Sequence, residues 1–172
     1  MNYKLKQEEY AVYSSDLLRA KQTAEIVAAQ LNLKVNEDSD LREINTGIAA
    51  GKTKDWAREN RNPRTGSCFD LDYQEFQNGE TWRQIYVRVC NVMERILETE
   101  KKNLVLVTHG GTLAYIVAWW LKFQPEMLSA SYFSASVGSI SILNQNGFQQ
   151  NNLCLLNDTS HLHMLKREEY RE

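Results

Sequence analysis

The chain has 172 residues, 42% of them hydrophobic, with 20 Lys and Arg against 22 Asp and Glu for a formal charge of -2. That length suits one globular domain, expected over 1–172, and the charge gives no field for wrapping nucleic acid and no cationic stripe for a membrane surface. The longest apolar stretch, 113–121, is far too short to span a bilayer, 1–9 is charged where a signal peptide is apolar, and the odd, scattered Cys68, Cys90 and Cys154 imply neither a disulfide framework nor a zinc site, so a reducing cytoplasm is the expected location.

Tyr10 to Tyr13 reads as a short strand running into Ser14, Ser15 and Asp16, which supply N-cap residues for a helix over about 17–31 with Ile26, Val27 and Leu31 in its apolar stripe. A second short strand is expected at 33–35. The stretch 37–51 is a long irregular loop rich in turn residues, long enough to suspect function. A short helix is expected over 53–60, ended by Asn62-Pro63, and 64–79 is polar and unstructured by pattern, a lid or an excursion.

The clearest helix is 81–100, because Trp82, Ile85, Val89, Val92, Met93, Ile96 and Leu97 recur at spacings of three and four, with Thr81 as its cap. Leu104 to Val107 is an apolar strand. It stops at Thr108-His109-Gly110-Gly111, and a second apolar segment, 113–121, restarts as a helix. This is how an open α/β sheet presents a functional side chain at the carboxyl edge of a strand: the glycines allow a sharp turn and close approach, and the helix amides point at whatever anion lies there. His109 is thus expected to line a cleft that takes phosphate, against the plainer alternative of an idle histidine packed at a strand end. Pro125 breaks the pattern, 137–143 alternates as a strand, and Asn146-Gly147 signals a hairpin turn into a strand over 148–156. The sum is a single three-layer α/β domain with helices on both faces of a mostly parallel sheet that has an antiparallel edge. The tail, 166–172, reads as solvated.

Several segments carry a family resemblance. Tyr13-Ser14-Ser15-Asp16-Leu17-Leu18-Arg19-Ala20-Lys21-Gln22-Thr23-Ala24 resembles the second signature of the histidine phosphatase (phosphoglycerate mutase-like) superfamily. Leu41-Arg42-Glu43-Ile44 with Gly47 and Gly51 resembles its acid-bearing loop, Gly79-Glu80 a later Gly-Glu pair, and Val107-Thr108-His109-Gly110-Gly111 its second histidine motif. Leu156-Asn157-Asp158-Thr159-Ser160-His161-Leu162 is similar to a closing motif of the cobalamin-pathway and broad-specificity phosphatase branch. Two departures stand out. The family's opening Arg-His-Gly, whose histidine is the phosphorylated nucleophile, occurs nowhere in these residues, and Ile48-Ala49-Ala50 stand where an aromatic and an acid commonly sit. The expectation is an N-terminally truncated domain that lacks the first strand and first turn, with 1–9 the tail of the first helix.

The resemblance implies a phosphomonoester hydrolase of the phosphohistidine type, with Arg19, Glu43 and His109 catalytic and Arg19, His109, Gly110 and Glu80 binding a small phosphorylated substrate or phosphate. Arg19 would grip two phosphoryl oxygens with its planar fork, unless it is a surface arginine paired with Glu25 or Asp16. His109 would be a second donor, best when protonated beside a dianion. Glu43 would protonate the leaving alcohol, unless it is a loop carboxylate in water. Glu80 either contacts the ligand or stabilises the start of the 81–100 helix. Ser14 and Ser15 are expected as caps, and Trp119-Trp120 as core and interface packing. His161 and His163 would share one face of a strand as possible metal ligands, but no cysteine or carboxylate cluster accompanies them; no metal and no cofactor is expected. Without the nucleophile the chain is expected to be inactive, a phosphate-binding pseudoenzyme or an interaction scaffold, unless a longer frame supplies the missing segment. The unpaired backbone left by an absent strand makes a homodimer, or a rearranged sheet that fills the gap, the expectation.

Overall fold

The computed structural model describes residues 9–64, 66, 69–100 and 103–162. The elements are β1 (Tyr10–Ser14), α1 (Leu18–Leu31), β2 (Val35–Glu37), α2 (Lys54–Glu59), α3 (Trp82–Thr99), β3 (Asn103–Val107), α4 (Gly110–Trp120), β4 (Ile140–Gln145) and β5 (Asn151–Asp158). Strands β2, β1 and β3 form a parallel sheet in that order, so β1 is central.

Alternation along β1 and β3 sends side chains to two different layers. Val12, with Val105 and Val107, packs on α1 against Ala24 and Ala28, while Tyr13, Leu104 and Leu106 pack toward α3 and α4. Helices therefore cover both faces, as the α/β reading requires. The layer on α3 is the larger: Ile85, Val89, Val92, Met93 and Ile96 are buried, each worth about 1.5–3 kcal/mol. Thr81 and Gln84 close a reciprocal capping box at its start.

On α1 the apolar stripe is corrected in part. Leu31 packs against the core as expected, but the buried residues are Ala20, Ala24 and Ala28, one helical turn apart, and Ile26 is 68% exposed. Small side chains let the helix lie close on the sheet, a signal that a scan for large hydrophobics passes over. The capping expectation is corrected too: the N-cap is Leu17, with no side-chain cap bond. Ser15 instead keeps its amide on the Val107 carbonyl, extending the β1–β3 ladder past the last strand residue.

The antiparallel pair forms a separate two-stranded sheet, not an edge of the parallel one. It is a hairpin as expected, but the strands lie two to three residues later than the sequence pattern suggests. The Asn146 carboxamide oxygen accepts from the amides of Phe148 and Gln150, and Gln149 takes the left-handed conformation (φ 60°), so the turn is wider than a two-residue Asn-Gly loop. Trp120 ties this hairpin to α4 by an indole N–H bond to the Asn152 carbonyl (3.2 Å), while Trp119 is in the core. The strand expected at 33–35 is β2, and a short 3-10 helix at Pro125–Ser129 follows the break foreseen at Pro125.

Candidate active site

Strands β1 and β3 run parallel with Ser14 opposite Val107, so both chains leave the sheet side by side at its carboxyl edge. One exit leads through Ser15 to the first turn of α1, which carries Arg19. The other leads through Thr108 to His109, whose backbone caps α4. Parallel pairing in this register thus brings a helix arginine and a distant histidine to one place.

His109 is 8% exposed, and its Nε2 lies 2.9 Å from the buried Ser15 Oγ. Burial pushes its pKa below the ordinary 6.5, and the charge of Arg19 pushes it the same way; Glu43 acts in the opposite sense and Arg88 again lowers it. The imidazole is therefore neutral at pH 7 in the unliganded site, not protonated as a dianion would favour. Arg19 itself is exposed. Asp16, one of its expected surface partners, is taken by Arg42, with Nε to Oδ1 at 2.6 Å, and among the described residues no carboxylate is in ion-pair range of the Arg19 guanidinium. Its charge is near enough to His109 to act on that imidazole.

Glu43 lies at the amino end of α4. Its Oε2 accepts from the Gly111 amide (3.2 Å) and its Oε1 from the Ile44 amide (3.0 Å). The helix end holds a carboxylate as it would hold any anion. A Cβ on Gly111 would fall 2.4 Å from Glu43 Oε1, so the second glycine of the motif makes room for the acid. The loop that delivers Glu43 is clamped by two hydroxyls from the other side of the sheet edge: Thr108 Oγ1 donates to the Leu41 carbonyl and Thr112 Oγ1 to the Arg42 carbonyl, each at 2.7 Å. Leu41 anchors the same segment in the core.

A second brace comes from α3. Arg88 donates to the Asp40 carbonyl (2.6 Å) and forks onto Glu80, Nε to Oε1 at 2.7 Å and Nη2 to Oε2 at 2.8 Å. Glu80 Oε2 also accepts from the Asn45 amide at 2.8 Å. Burial pushes the Glu80 carboxyl up, but the Arg88 and Asn45 hydrogen bonds outweigh that and hold it below the ordinary 4.5. Both oxygens of Glu80 are thus occupied by structural partners that fix the acid-bearing loop, and these are the contacts found where ligand binding was expected. Gly110, the other binding expectation, opens α4 beside the site.

The structure sets His109, Glu43 and the first turn of α1, which carries Arg19, at the carboxyl edge of the sheet. Ser15, Thr108, Thr112 and Arg88 join them, though the sequence assigned none of them a part in the site. Ser15 was legible only as a cap, and Arg88 only as a basic residue beside an apolar stripe. His161 sits in helical backbone after β5, not on a strand face, and His163 lies outside the described residues. Among the described residues no cluster of His, Cys, Asp or Glu could hold a metal, and no helix is long and apolar enough to cross a membrane.

Beside Glu43 and Gly111 opens a cavity of about 620 Å³, walled by aromatic and aliphatic side chains from the 69–82 segment, α4 and residues 128–133.

Residues 3–159 match the sequence profile of the histidine phosphatase superfamily (branch 1), and the chain belongs to that family. It is 31% identical over 140 residues to the metal-independent phosphoserine phosphatase of Arabidopsis thaliana, covering 78% of this chain and 57% of that protein. It is 36% identical over 107 residues to phosphoglycerate mutase-like protein 4 of the same plant, covering 59% and 46%. The chain thus spans about half the length of these curated relatives. Among solved structures it is similar to YhfR of Bacillus stearothermophilus (26% identity, TM-score 0.65, covering 88% of this chain and 75% of that one). The α-ribazole phosphatase of Shigella flexneri, at 23% identity and TM-score 0.64 over 86% and 72% of the two chains, shares the fold.

Proposed function

We infer that the site binds the phosphoryl group of a small phosphomonoester between Arg19 and His109 and turns its bridging oxygen toward Glu43. The supporting observation is the adjacency of the β1 and β3 exits: the field of Arg19 is felt at His109, and Glu43 is held one helical residue beyond the same turn. A phosphomonoester carries about two negative charges at neutral pH, so it needs fixed donors at its oxygens; the guanidinium fork and the imidazole supply them. Bringing the dianion beside a neutral imidazole raises the imidazole pKa, so binding takes up a proton at His109. Glu43, when protonated, can donate to the leaving alcohol oxygen.

Transfer requires an attacking imidazole. His109 is engaged with Ser15, and no Arg-His-Gly occurs in these 172 residues. The 172-residue chain accordingly binds phosphate and turns over negligible ester. The test pairs two measurements on the purified chain. Inorganic phosphate or vanadate raises the melting temperature, and Arg19→Ala removes that rise, because selective binding to the folded state stabilises it. Aryl phosphate hydrolysis stays at background. No thermal shift with either anion contradicts the binding; aryl phosphate hydrolysis that His109→Ala abolishes contradicts the inactivity, with His109 or a residue dependent on it taking the missing nucleophile's place.

A further inference from the structure

Ser15 stands where the two strand exits meet, and every polar group it carries is engaged. Its amide donates to the Val107 carbonyl (3.0 Å), and its carbonyl accepts from the Ser14 hydroxyl (2.8 Å). Its Oγ accepts from the Leu17 amide (3.3 Å) and lies 2.9 Å from His109 Nε2. The residue is fully buried, so its hydroxyl acts through the imidazole beside it and not on a substrate.

The direction of the Ser15–His109 bond follows from counting hydrogens. A hydroxyl has one hydrogen and two lone pairs. The Leu17 amide fills one lone pair, and the described residues offer the hydroxyl hydrogen no acceptor other than Nε2. Were Nε2 protonated in the neutral ring, two donors would converge on Oγ and the hydroxyl hydrogen would be buried without a partner, which is unfavourable. Nε2 therefore accepts, and the neutral imidazole carries its hydrogen on Nδ1. Nδ1 of His109 has no partner among the described residues, and it is not buried as the unpaired Nδ1 of His161 is, so it reaches solvent. The charged groups facing the ring are Arg19 from α1, Glu43 from the acid-bearing loop and Arg88 from α3; burial and the two arginines outweigh Glu43 and keep the ring neutral.

We propose that Ser15 is a positioning residue for the anion site: its hydroxyl donates to His109 Nε2, fixes the neutral imidazole as the Nδ1–H tautomer and leaves that N–H as the donor offered to the phosphoryl group. The donor role rests on the phosphoryl site between Arg19 and His109. When the bound dianion draws a proton from solvent onto the ring, the proton goes to Nε2. That N–H then donates to the second lone pair of Oγ, while Nδ1–H keeps its hold on the phosphoryl oxygen.

The test reads the tautomer directly, from two-bond proton–nitrogen correlation spectra of the imidazole at about pH 8, where the ring is neutral. The His109 signals are assigned by their loss in His109→Ala. In the native chain Nδ1 is expected protonated and Nε2 not, and inorganic phosphate moves the Nδ1 resonance. Ser15→Ala shifts the population toward the Nε2–H tautomer and weakens phosphate binding by about 5- to 10-fold. The native spectrum needs no variant to fold: a neutral His109 protonated at Nε2 overturns the proposal whether or not phosphate binds. Unchanged tautomer and unchanged phosphate affinity in a folded Ser15→Ala chain overturn it equally. A native chain in the Nδ1–H form that binds no phosphate refutes the phosphoryl site and the donor role with it, so the two failures are distinguishable.

Discussion

Glycines 47 and 51 illustrate how one residue type answers two different demands. Both have positive φ, 54° and 74°, but a Cβ at Gly47 would fall 2.1 Å from the Gln77 carbonyl oxygen, whereas at Gly51 nothing lies within 4 Å. Gly47→Ala meets immovable backbone and is expected to destabilise by more than about 2 kcal/mol; Gly51→Ala carries only the conformational cost of about 1 kcal/mol. Urea unfolding of the two variants separates them, and equal losses would contradict the packing of the 45–49 turn on the 76–79 segment. His109 and Glu43 were legible in the sequence because a strand end followed by glycines, and a family-like loop, are local patterns. Ser15, Thr108 and Thr112 were not, since their partners lie as far as 94, 67 and 70 residues away, and no short-range pattern encodes that.

The elements with strong periodicity were read well, and those fixed by tertiary contact were not. Helix α3 starts one residue after its foreseen cap and ends one residue early, because its apolar repeat and its Thr81 cap are both local. For α1 the alanine stripe carried the packing and the larger Ile26 did not, which periodicity weighted by side-chain size misjudges. The acid-bearing loop has little regular structure of its own and is held by Arg88 and Glu80, side chains 17% and 19% exposed. With its folded pKa depressed, Glu80 contributes stability that is complete above the ordinary 4.5 and is lost as pH falls through the lower folded value. Glu80→Gln leaves the Arg88 charge largely buried without a counter-ion, so a loss of about 1–3 kcal/mol is expected at pH 7. The variant also shows a weaker fall in stability on acidification than the native chain. Thermal melts from pH 3 to 7 check this; parallel curves for the two chains would contradict it.

Across the whole molecule, the parallel sheet delivers two segments nearly a hundred residues apart to one edge, and the layers on either face hold them there. The α/β class and the family were both readable, since order and type of elements survive small errors of boundary. The detached hairpin was not, because pairing between sheets depends on which strand lies between them. A shared phosphate site requires Arg19 to stand beside His109, and the most direct measurement is the NMR titration of the His109 imidazole in the native chain and in Arg19→Ala. With 3 histidines in the sequence, the His109 signal is assigned by its loss in His109→Ala. The native midpoint is expected below 6.5, and removing the guanidinium charge moves it upward. An identical midpoint in both chains would contradict the shared phosphate site.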